Sequence, residues 1–414
     1  MDTPKLRFNG FENPWRNILF NEIFDYLRNN TFSRDCLNYQ NGSFKNIHYG
    51  DILTKFGANV NVCQTNVPFI NTNISFKVDK QKLLQDGDIV FADTAEDEAV
   101  GRCIEISGAE KTKTVSGLHT IPVRPKIVFA PYFLGYDLNS KGFHNRLKPL
   151  MQGIKVMSLN RTALEKIKVE YPEEIKEQRM ISLFFCNIDQ EINTKITEIE
   201  SLRQVKTAAM ISMFPQKGED APRVRFKGFD EPWKTIKARK LFKTFNERNR
   251  PEMPVLSAFQ DNRGMAVRED SGYNISHDIR NEATYKHVLP GQFVMHLRSF
   301  QGGFAHSSVE GITSPAYTVF GFIDEDSNYD YFWKLIFMSK AFIKRLETTT
   351  YGIRDGRSIS FDEFLNLSFL VPSKAEQQKI TEFFQNLDRQ IKCQSQILER
   401  LKRVKAACLD QMFV

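Results

Sequence analysis

The sequence predicts an α+β fold built as an internal repeat, with two similar mixed domains separated by two long antiparallel coiled-coil helices in pseudo-two-fold symmetry. Two matches within the chain predict this fold. RFNGFENPW, which begins at Arg7, returns with six identities as RFKGFDEPW at Arg225, 218 positions later. EQRMISLFFCNIDQEI, from Glu177, returns as EQQKITEFFQNLDRQI, from Glu376, 199 positions later. Because both flanks match while the distance between them changes, a lead-in, a module of variable length and a helix have been duplicated.

The first element of each repeat is a short lead-in rich in glycine, proline and aromatic residues. Its shared positions are Pro4, Arg7, Phe8, Gly10, Phe11, Pro14 and Trp15, which recur as Pro222, Arg225, Phe226, Gly228, Phe229, Pro232 and Trp233. Glycine and proline favour a fixed turn, and the aromatic side chains favour anchoring to the domain. We interpret the lead-in as structural, with a direct binding role as the alternative.

The second element is a module of short β-rich runs, predicted with its lead-in over residues 1–171 and 215–371. GDILTKF, DGDIVFADT and the alternation at residues 119–123 predict strands in the first module, as GQFVMHLRSF and AYTVFGFI do in the second. LLQDGDIVFA resembles HVLPGQFVMH. PYFLGYDLNSKGF and YDYFWKLIFMSKAF predict amphipathic helices, and KIKVEYP and NLSFLVP predict strands that lead into the long helices.

The third element is a long helix, predicted at residues 177–214 and 376–413 within segments 172–214 and 372–414. Its seam positions lie alternately four and three residues apart: Ile181, Phe185, Ile188, Ile192, Lys195, Ile199, Leu202, Lys206, Ala209 and Met213, matched by Ile380, Phe384, Leu387, Ile391, Gln394, Leu398, Leu401, Lys405, Cys408 and Met412. A 3.5-residue repeat of this length predicts a coiled coil, about 57 Å long at 1.5 Å per residue.

Both helices belong to one chain, and the residues between them must fold back. Antiparallel pairing within the chain is therefore the simplest arrangement, with the modules at opposite ends and the helices as a spacer. Polar residues interrupt the seam at matching places, namely Lys195 and Gln394, then Lys206 and Lys405. We interpret them as side chains that extend to the edge of the seam, with a role in setting the helix register as the alternative.

Length, composition and charge limit the classes of protein to which the chain can belong. A chain of 414 residues exceeds what one core usually fills, and 41% hydrophobic with 26% charged residues is typical of a folded protein. No run of eighteen apolar residues and no apolar signal at the N-terminus occur, so we expect neither a membrane span nor secretion. Six cysteines without a CxxC fit a cytoplasmic location. The net charge of +7 favours a polyanionic partner.

Basic and amide side chains in the predicted loops are candidates for contact with double-stranded DNA, because these residue types match purine edges and phosphates. The candidates are Lys55, Asn59, Arg102, Lys111, Lys113, His119, Asn145 and Arg146 in the first module, with Arg263, Arg268, Arg298, Gln301, Tyr317, Arg354 and Arg357 in the second.

Catalytic motifs do not occur in the sequence. It lacks a GxxxxGK[ST] phosphate loop, a methyl-donor glycine loop and the histidine spacing of a metal site. FADTAEDE carries four carboxylates, but its counterpart HLRSFQGG carries none, so we interpret it as a solvated loop rather than a duplicated cation site. We expect no catalysis and no cofactor in this chain.

The repeated lead-ins and the EQRMI…FF and EQQKI…FF helices resemble the specificity (S) subunit of type I restriction-modification systems, over essentially the whole length. The resemblance implies that each module is a target recognition domain for one half of a split, asymmetric DNA site. It also implies two methyltransferase (M) subunits that bind S-adenosylmethionine, and restriction (R) motor-nuclease subunits that use ATP and Mg²⁺, all in the bacterial or archaeal cytoplasm.

Two alternatives stay open on the residues alone. One is a coiled-coil adaptor that binds proteins through its diverged modules without touching DNA. The other is a fused nuclease or methyltransferase, which the missing motifs disfavour. Salt dependence of DNA affinity separates the first from the DNA reader, since several phosphate contacts give a steep dependence.

Overall fold

The computed structural model describes residues 3–76, 83–96, 99–153, 156–216, 218–259, 263–271, 279–296, 303–349 and 360–414. The chain forms two compact units. Unit 1 comprises Met1–Ile196 with Gln396–Val414, and unit 2 comprises Thr197–Ser395. Each unit therefore contains the start of one long helix and the end of the other.

Unit 1 contains most of the strands. Its elements, with the helix that leaves it, are β1 (Arg16–Leu19), α1 (Phe20–Ile23), β2 (Phe24–Tyr26), β3 (Leu37–Asn38), β4 (Lys45–Ile47), α2 (Tyr49–Thr54), β5 (Asn59–Asn61), β6 (Phe69–Ile70), β7 (Ile89–Ala92), β8 (Thr94–Ala95), β9 (Cys103–Ser107), β10 (Thr114–Ser116), β11 (Thr120–Pro125), α3 (Phe133–Asp137), α4 (Lys141–Leu147), β12 (Met157–Ser158), α5 (Arg161–Glu165), β13 (Lys168–Tyr171) and α6 (Ile175–Ser212).

Over its described residues, unit 2 repeats this order with fewer strands. Its elements, with the helix that leaves it, are β14 (Lys234–Lys237), β15 (Phe242–Phe245), β16 (Leu256–Phe259), β17 (Gly264–Val267), β18 (Lys286–Val288), β19 (Phe293–Met295), β20 (Phe304–His306), β21 (Gly311–Thr313), β22 (Thr318–Phe322), α7 (Asp330–Phe337), α8 (Lys340–Thr349), α9 (Phe361–Leu365), β23 (Ser368–Val371) and α10 (Lys374–Met412).

The main sheets of the two units have the same topology. Unit 1 orders its strands β2-β11-β7-β9-β5, and unit 2 orders its strands β15-β22-β19-β20. The four shared strands are antiparallel to their neighbours, whereas β5 joins the edge of unit 1 in parallel. A two-stranded antiparallel sheet, β1 with β13 or β14 with β23, joins the start of each module to the strand before its long helix.

The units differ most in the segment between the first two of these shared strands along the chain, from β2 to β7 in unit 1 and from β15 to β19 in unit 2. In unit 1 this segment, residues 27–88, contains α2 and the strands β3, β4 and β6, which form a second sheet with β10. In unit 2 the corresponding residues 246–292 contain β16, β17 and β18, and the two-stranded pairs β16–β17 and β18–β21 take the place of that sheet. A common frame therefore carries two unlike insertions.

Several predicted elements are confirmed. Strands occur at β7, β11, β19 and β22 and before each long helix, and the likeness of LLQDGDIVFA to HVLPGQFVMH corresponds to equivalent turns, with φ of +88° at Gly87 and at Gly291. All ten predicted seam positions of each long helix are buried or half-buried. The helices begin two residues earlier than predicted, because the carbonyl groups of Glu174 and Ser373, just after the prolines, accept the first helical hydrogen bonds.

Two predictions need correction. GDILTKF was expected to be a strand, but it forms α2, because Nδ1 of His48 accepts a hydrogen bond from Gly50 N (3.2 Å) and caps a helix that buries Ile52. Each amphipathic helix was expected to be continuous, but it divides into two. The reason is a serine cap at the start of the second helix. The hydroxyl of Ser140 accepts a hydrogen bond from the backbone N–H of Phe143, and the hydroxyl of Ser339 accepts one from Phe342.

The aromatic core of each unit is closed by a phenylalanine just beyond the end of a long helix. In unit 1 the ring of Phe413 lies 5.8 Å from Phe185, 6.0 Å from Phe133 and 6.3 Å from Trp15. In unit 2 Phe214 contacts the equivalent set, Phe384, Phe332 and Trp233, at 5.6–6.4 Å.

The direction of the helices follows from a second contact within each unit. In unit 1 Lys405, which precedes Phe413, donates to Asp189, which follows Phe185. In unit 2 Lys206, which precedes Phe214, donates to Asp388, which follows Phe384. The helix segments that share each unit are therefore antiparallel, as predicted. These lysines bond across the seam, which corrects our interpretation that they only extend to its edge.

The lead-ins are structural in both units. Arg7 donates Nε and Nη2 to the carboxylate of Glu177 (2.6 and 2.8 Å), and Arg225 does the same to Glu376 (2.8 and 2.7 Å). Gly10 and Gly228 both adopt φ of +92°, a left-handed conformation that favours glycine. The duplicated motif thus fixes the start of each module to the first turns of its own long helix.

Candidate nucleic-acid interface

One exposed cluster in the unit 1 insertion contains a residue predicted from the sequence. Lys55, directly after α2, donates to the hydroxyl of Tyr39 (2.7 Å) and lies 3.0 Å from a carboxylate oxygen of Asp51. Arg34 donates to the same hydroxyl (2.6 Å) and to both oxygens of Asp51 (2.6 and 3.0 Å). We call Arg34, Tyr39, Asp51 and Lys55 the Tyr39 cluster.

His119 lies in a separate polar group of unit 1. Its φ is +54°, an uncommon conformation for a residue other than glycine, and it immediately precedes β11. Its Nδ1 lies 3.2 Å from the carboxylate of Asp93, and its ring packs edge-on against Tyr49 at 5.3 Å. The side chain is about half exposed. A conformation that costs backbone strain and holds a polar ring at the surface is typical of functional positions.

Two predicted residues of unit 1 are bonded within the fold, and a third is buried in it. Arg102 donates to the carbonyl groups of Leu53 (2.9 Å) and Phe56 (3.1 Å). Arg146 donates Nη1 to the carbonyl of Val414 and lies 3.4 Å from Glu170. The amide atoms of Asn59 are buried. The two arginines hold the module together, so the structure gives them a structural role beside the predicted DNA contact.

The remaining predicted residues of unit 1 are exposed: Lys111, Lys113 and Asn145. Lys113 follows a short 3-10 turn, and its Nζ lies 5.7 Å from the ring of Phe44. Lys111 ends that turn, and Asn145 lies on α4. The structure does not join these three side chains to the Tyr39 cluster by any contact among the described residues.

The predicted residues of unit 2 are only partly described. Arg263 is exposed and its guanidinium lies 3.9 Å from the centroid of the Phe259 ring, while Nε of Arg268 donates to the hydroxyl of Ser257 (3.1 Å). Tyr317 is half-buried and lies 6.0 Å from the ring of His296. Four candidates lie outside the described residues: Arg298, Gln301, Arg354 and Arg357.

Arg34 and Tyr39 were missed by the sequence reasoning. Arg34 lies in a short 3-10 turn (Arg34–Cys36) and Tyr39 in the polar turn after β3, so neither belongs to a periodic pattern. A signal was nevertheless present, because RDCLNYQNGSFK places two aromatic residues between two basic residues.

Metal and membrane sites receive no support from the part of the chain that the structure describes. It contains no group of three or more histidine, cysteine or acidic side chains that could hold a metal ion. Among its helices, none combines the length and the apolar run that a membrane crossing needs. Two carboxylates of FADTAEDE, Asp97 and Glu98, lie outside the described residues.

Sequence comparison decides the family. The profile of the type I restriction modification DNA specificity domain matches residues 12–201 and, a second time, residues 234–403. The chain belongs to this family. No curated protein matches the sequence. The two matched ranges coincide with the two repeats, each extending into a long helix.

Solved structures share the fold of this specificity chain. The crystal structure of a type I restriction-modification S subunit from M. genitalium is 14% identical, with a TM-score of 0.59, and the match covers 100% of this chain and 99% of that one. A structure titled for complex assembly and conformational transition of the type I R-M system is 14% identical, with a TM-score of 0.50, and covers 97% and 98%. The HsdS subunit from Thermoanaerobacter tengcongensis is 14% identical, with a TM-score of 0.48, and covers 98% of each chain.

Family membership establishes the general role. The chain is the DNA specificity subunit of a type I restriction-modification system, and it is non-catalytic by itself. Its partners are DNA and other subunits of that system. The adaptor without DNA contact is not favoured.

Proposed function

We propose that unit 1 and unit 2 each read one half of a split, asymmetric DNA sequence, and that the two long helices fix the number of unread base pairs between the halves. In this proposal two methyltransferase subunits dock on the helices and adjoining surfaces, and restriction subunits complete the nuclease. S-adenosylmethionine, ATP and Mg²⁺ bind those partner subunits and not this chain. The complex works in the cytoplasm.

One observation carries this proposal: the two units share a frame and differ in the insertion. The same arginine–glutamate pair, the same closing phenylalanine and the same four-stranded sheet occur in both. Residues 27–88 and 246–292, inserted at equivalent places of that sheet, fold differently. Two identical readers would need identical surfaces, so a conserved frame with unlike insertions supports two unlike half-sites.

The exposed side chains of the insertions suit the two parts of DNA recognition. Lysine and arginine on phosphates supply affinity and position the protein, whereas donors aimed at base edges supply specificity. The methyltransferase must also extrude its target adenine, which costs a few kcal/mol that contacts elsewhere on the duplex offset. A specificity subunit that binds both flanks of the extruded base would supply such contacts.

The proposal is tested by exchange of one module. Residues 16–171 are replaced by the corresponding module of another family member, so that the lead-in and both long helices stay intact. We expect the methylated adenine position and bases of one half-site to change, with the other half-site and the spacer unchanged, as read by methylation mapping of the host genome. A change in both halves, or in neither, would contradict modular reading.

A further inference from the structure

The Tyr39 cluster lies where unit 1 departs most from unit 2. Arg34, Tyr39 and Lys55 all belong to residues 27–88, the insertion of unit 1. Their side chains remain accessible, with 42% of Arg34 and 49% of Lys55 exposed, and Tyr39 is 38% exposed. Three elements converge here: the 3-10 turn of Arg34, the turn after β3, and the end of α2. A surface assembled from three elements of the variable segment is suited to differ between readers.

A buried carboxylate fixes the geometry of the cluster. The side chain of Asp51 is 2% exposed, and its two oxygens accept hydrogen bonds from both cations. Burial alone raises the pKa of Asp51, but the hydrogen bonds and charges of Arg34 and Lys55 outweigh burial and lower it. The carboxylate therefore stays ionised and holds both cations. Since their positions are set before binding, less side-chain freedom is lost when a ligand arrives.

Tyr39 completes the cluster through its hydroxyl group rather than through its ring. Lys55 Nζ is 2.7 Å from the hydroxyl oxygen but 5.0 Å from the ring centroid, and Arg34 Nη2 is 2.6 Å from the same oxygen. A phenol oxygen has two acceptor positions and one hydrogen to donate. Both acceptor positions are occupied by the two cations, so the hydroxyl hydrogen remains to be donated outward.

The exposed side of the cluster can only donate. A lysine ammonium has three N–H groups and an arginine guanidinium has five, neither can accept, and the internal bonds use only part of them. Asp51, the one acceptor that remains charged, is buried beneath them. Within the described part of unit 1, the cluster therefore offers N–H groups of Arg34 and Lys55 together with the O–H of Tyr39.

We propose that Arg34, Tyr39 and Lys55 form a donor-only contact with DNA, which binds an acceptor-only group of the half-site that unit 1 reads. This inference rests on the proposed function of unit 1 as a half-site reader. Thymine O4 in the major groove, and adenine N3 and thymine O2 in the minor groove, are single acceptors. Two acceptors side by side, which neighbouring donors favour, occur on the phosphate group and on the O6 and N7 edge of guanine in the major groove. Adenine and cytosine present an amino donor in that groove, so a donor-only surface disfavours their edges.

The test uses the full-length chain with its methyltransferase subunits and a duplex of the natural site. Tyr39→Phe removes the hydroxyl and keeps the ring, and Lys55→Met removes the charge and keeps the length of the side chain. Lys166→Met is the matched control, because Lys166 is an exposed lysine of unit 1 outside the cluster. The unfolding midpoint of each variant is measured first, so that a loss of DNA binding is not a loss of fold.

Two probes distinguish the two sources of acceptor. If the contact is guanine, replacement of one guanine of the half-site by 7-deazaguanine weakens wild-type binding by about 5- to 100-fold, and Tyr39→Phe and Lys55→Met lose this sensitivity. If the contact is phosphate, Tyr39→Phe and Lys55→Met keep the wild-type sensitivity to 7-deazaguanine, one methylphosphonate linkage weakens wild-type binding, and Lys55→Met lowers the salt-dependence slope by about one. Lys166→Met behaves as wild type in both arms.

The inference fails if Tyr39→Phe and Lys55→Met match the control in affinity, salt dependence and probe sensitivity. That failure is distinct from failure of the proposed function. If module exchange still moves one half-site while the cluster variants change nothing, unit 1 reads DNA through other residues. If module exchange leaves the half-site unmoved, half-site reading by unit 1 is itself wrong.

Discussion

Unit 1 and unit 2 place opposite chemistry at one equivalent position of the same sheet. Glu105 on β9 pairs with Ile89 in register, and His306 on β20 pairs with Phe293 in the same way. Both residues are buried and both face the first turn of the helix that follows the sheet. The Glu105 carboxylate accepts from the backbone N–H of Tyr132 (2.5 Å) and Gly135 (2.9 Å).

In unit 2 the acceptor at the start of the corresponding helix, α7, comes from a different residue. There the carboxylate belongs to the helix itself, as Asp330, and His306 Nε2 lies 2.6 Å from it. The first N–H groups of a helix need an acceptor, and either the strand or the helix can supply one. The comparison shows that the frame conserves a structural requirement and not a residue. Such freedom lets two repeats drift apart in sequence while the sheet and helices keep their places.

The largest expected loss of stability concerns the lead-in ion pairs. Arg7→Ala leaves the buried carboxylate of Glu177 without its ion-pair partner and should lower the free energy of unfolding of unit 1 by about 3–5 kcal/mol. Arg225→Ala should cost unit 2 less, by about 1–2 kcal/mol, because Trp233 Nε1 still donates to Glu376 (3.1 Å). Urea titration with pulsed hydrogen exchange, read at peptide level, measures each unit separately. Equal losses would mean that the indole contributes nothing to Glu376.

A second difference is the response to pH. Burial raises the pKa of Glu105 to about 7, against the opposing effect of backbone N–H donors. Between about pH 4.5 and 7 an unfolded chain releases the Glu105 proton that unit 1 keeps, so Glu105 lowers the free energy of unfolding of unit 1 by about 3 kcal/mol as the pH rises through this window. Urea titrations of unit 1 across this window, compared with Glu105→Gln, should show a flatter pH dependence in the variant.

Two other carboxyl groups complete the pH comparison. Burial also raises the pKa of Asp137, to about 8, so Glu105→Gln should retain a residual fall in stability. In unit 2 burial would raise the pKa of Asp330, but the hydrogen bond and charge of His306 prevail and lower it. The stability from Asp330 is present above its unfolded pKa and is lost as the pH falls through its lower folded pKa. Acidification from about pH 7 to 4.5 should therefore strengthen unit 1 through Glu105, whereas acidification below the unfolded pKa of Asp330 should weaken unit 2. Parallel pH profiles of the two units would contradict this assignment.

The smallest expected difference concerns the two lead-in tryptophans. Trp15 and Trp233 are equally buried, but Trp15 Nε1 has no hydrogen-bond partner among the described residues, whereas Trp233 Nε1 donates to Glu376. Substitution by phenylalanine removes similar packing from both units. Trp233→Phe should therefore cost about 1–2 kcal/mol more than Trp15→Phe, measured by urea unfolding. If the two costs agree, the hydrogen bond of Trp233 has no net value.

The repeated frame could be predicted from the sequence because it rests on periodicity. The seam positions of the long helices alternate by four and three residues, and both helices form within two residues of the predicted bounds. The α2 segment could not be predicted in this way. GDILTKF predicts a short strand because it is a brief run rich in apolar residues, but a side-chain cap from His48 and burial of Ile52 and Asp51 make it helical. Local caps and tertiary burial override a short pattern.

The candidate site shows the same limit. Lys55 was predicted from residue type alone, and Arg34 and Tyr39 were missed because only the fold brings them to Asp51. Arg102 and Arg146 have the residue type expected of DNA contacts, yet carbonyl groups of the module accept their N–H donors. Residue type therefore identified basic side chains, whereas their availability depends on bonds that only the folded chain defines.

Unit 1 is built from two separate segments of the chain, and this has a consequence for its biosynthesis. Its strands and the first part of α6 lie within Met1–Ile196, but Phe413, which closes its core, belongs to Gln396–Val414. A nascent chain therefore carries an open aromatic core for roughly two hundred further residues, while the continuous segment Thr197–Ser395 supplies everything that unit 2 needs. During synthesis unit 2 would then complete its core before unit 1, although most of unit 1 leaves the ribosome first.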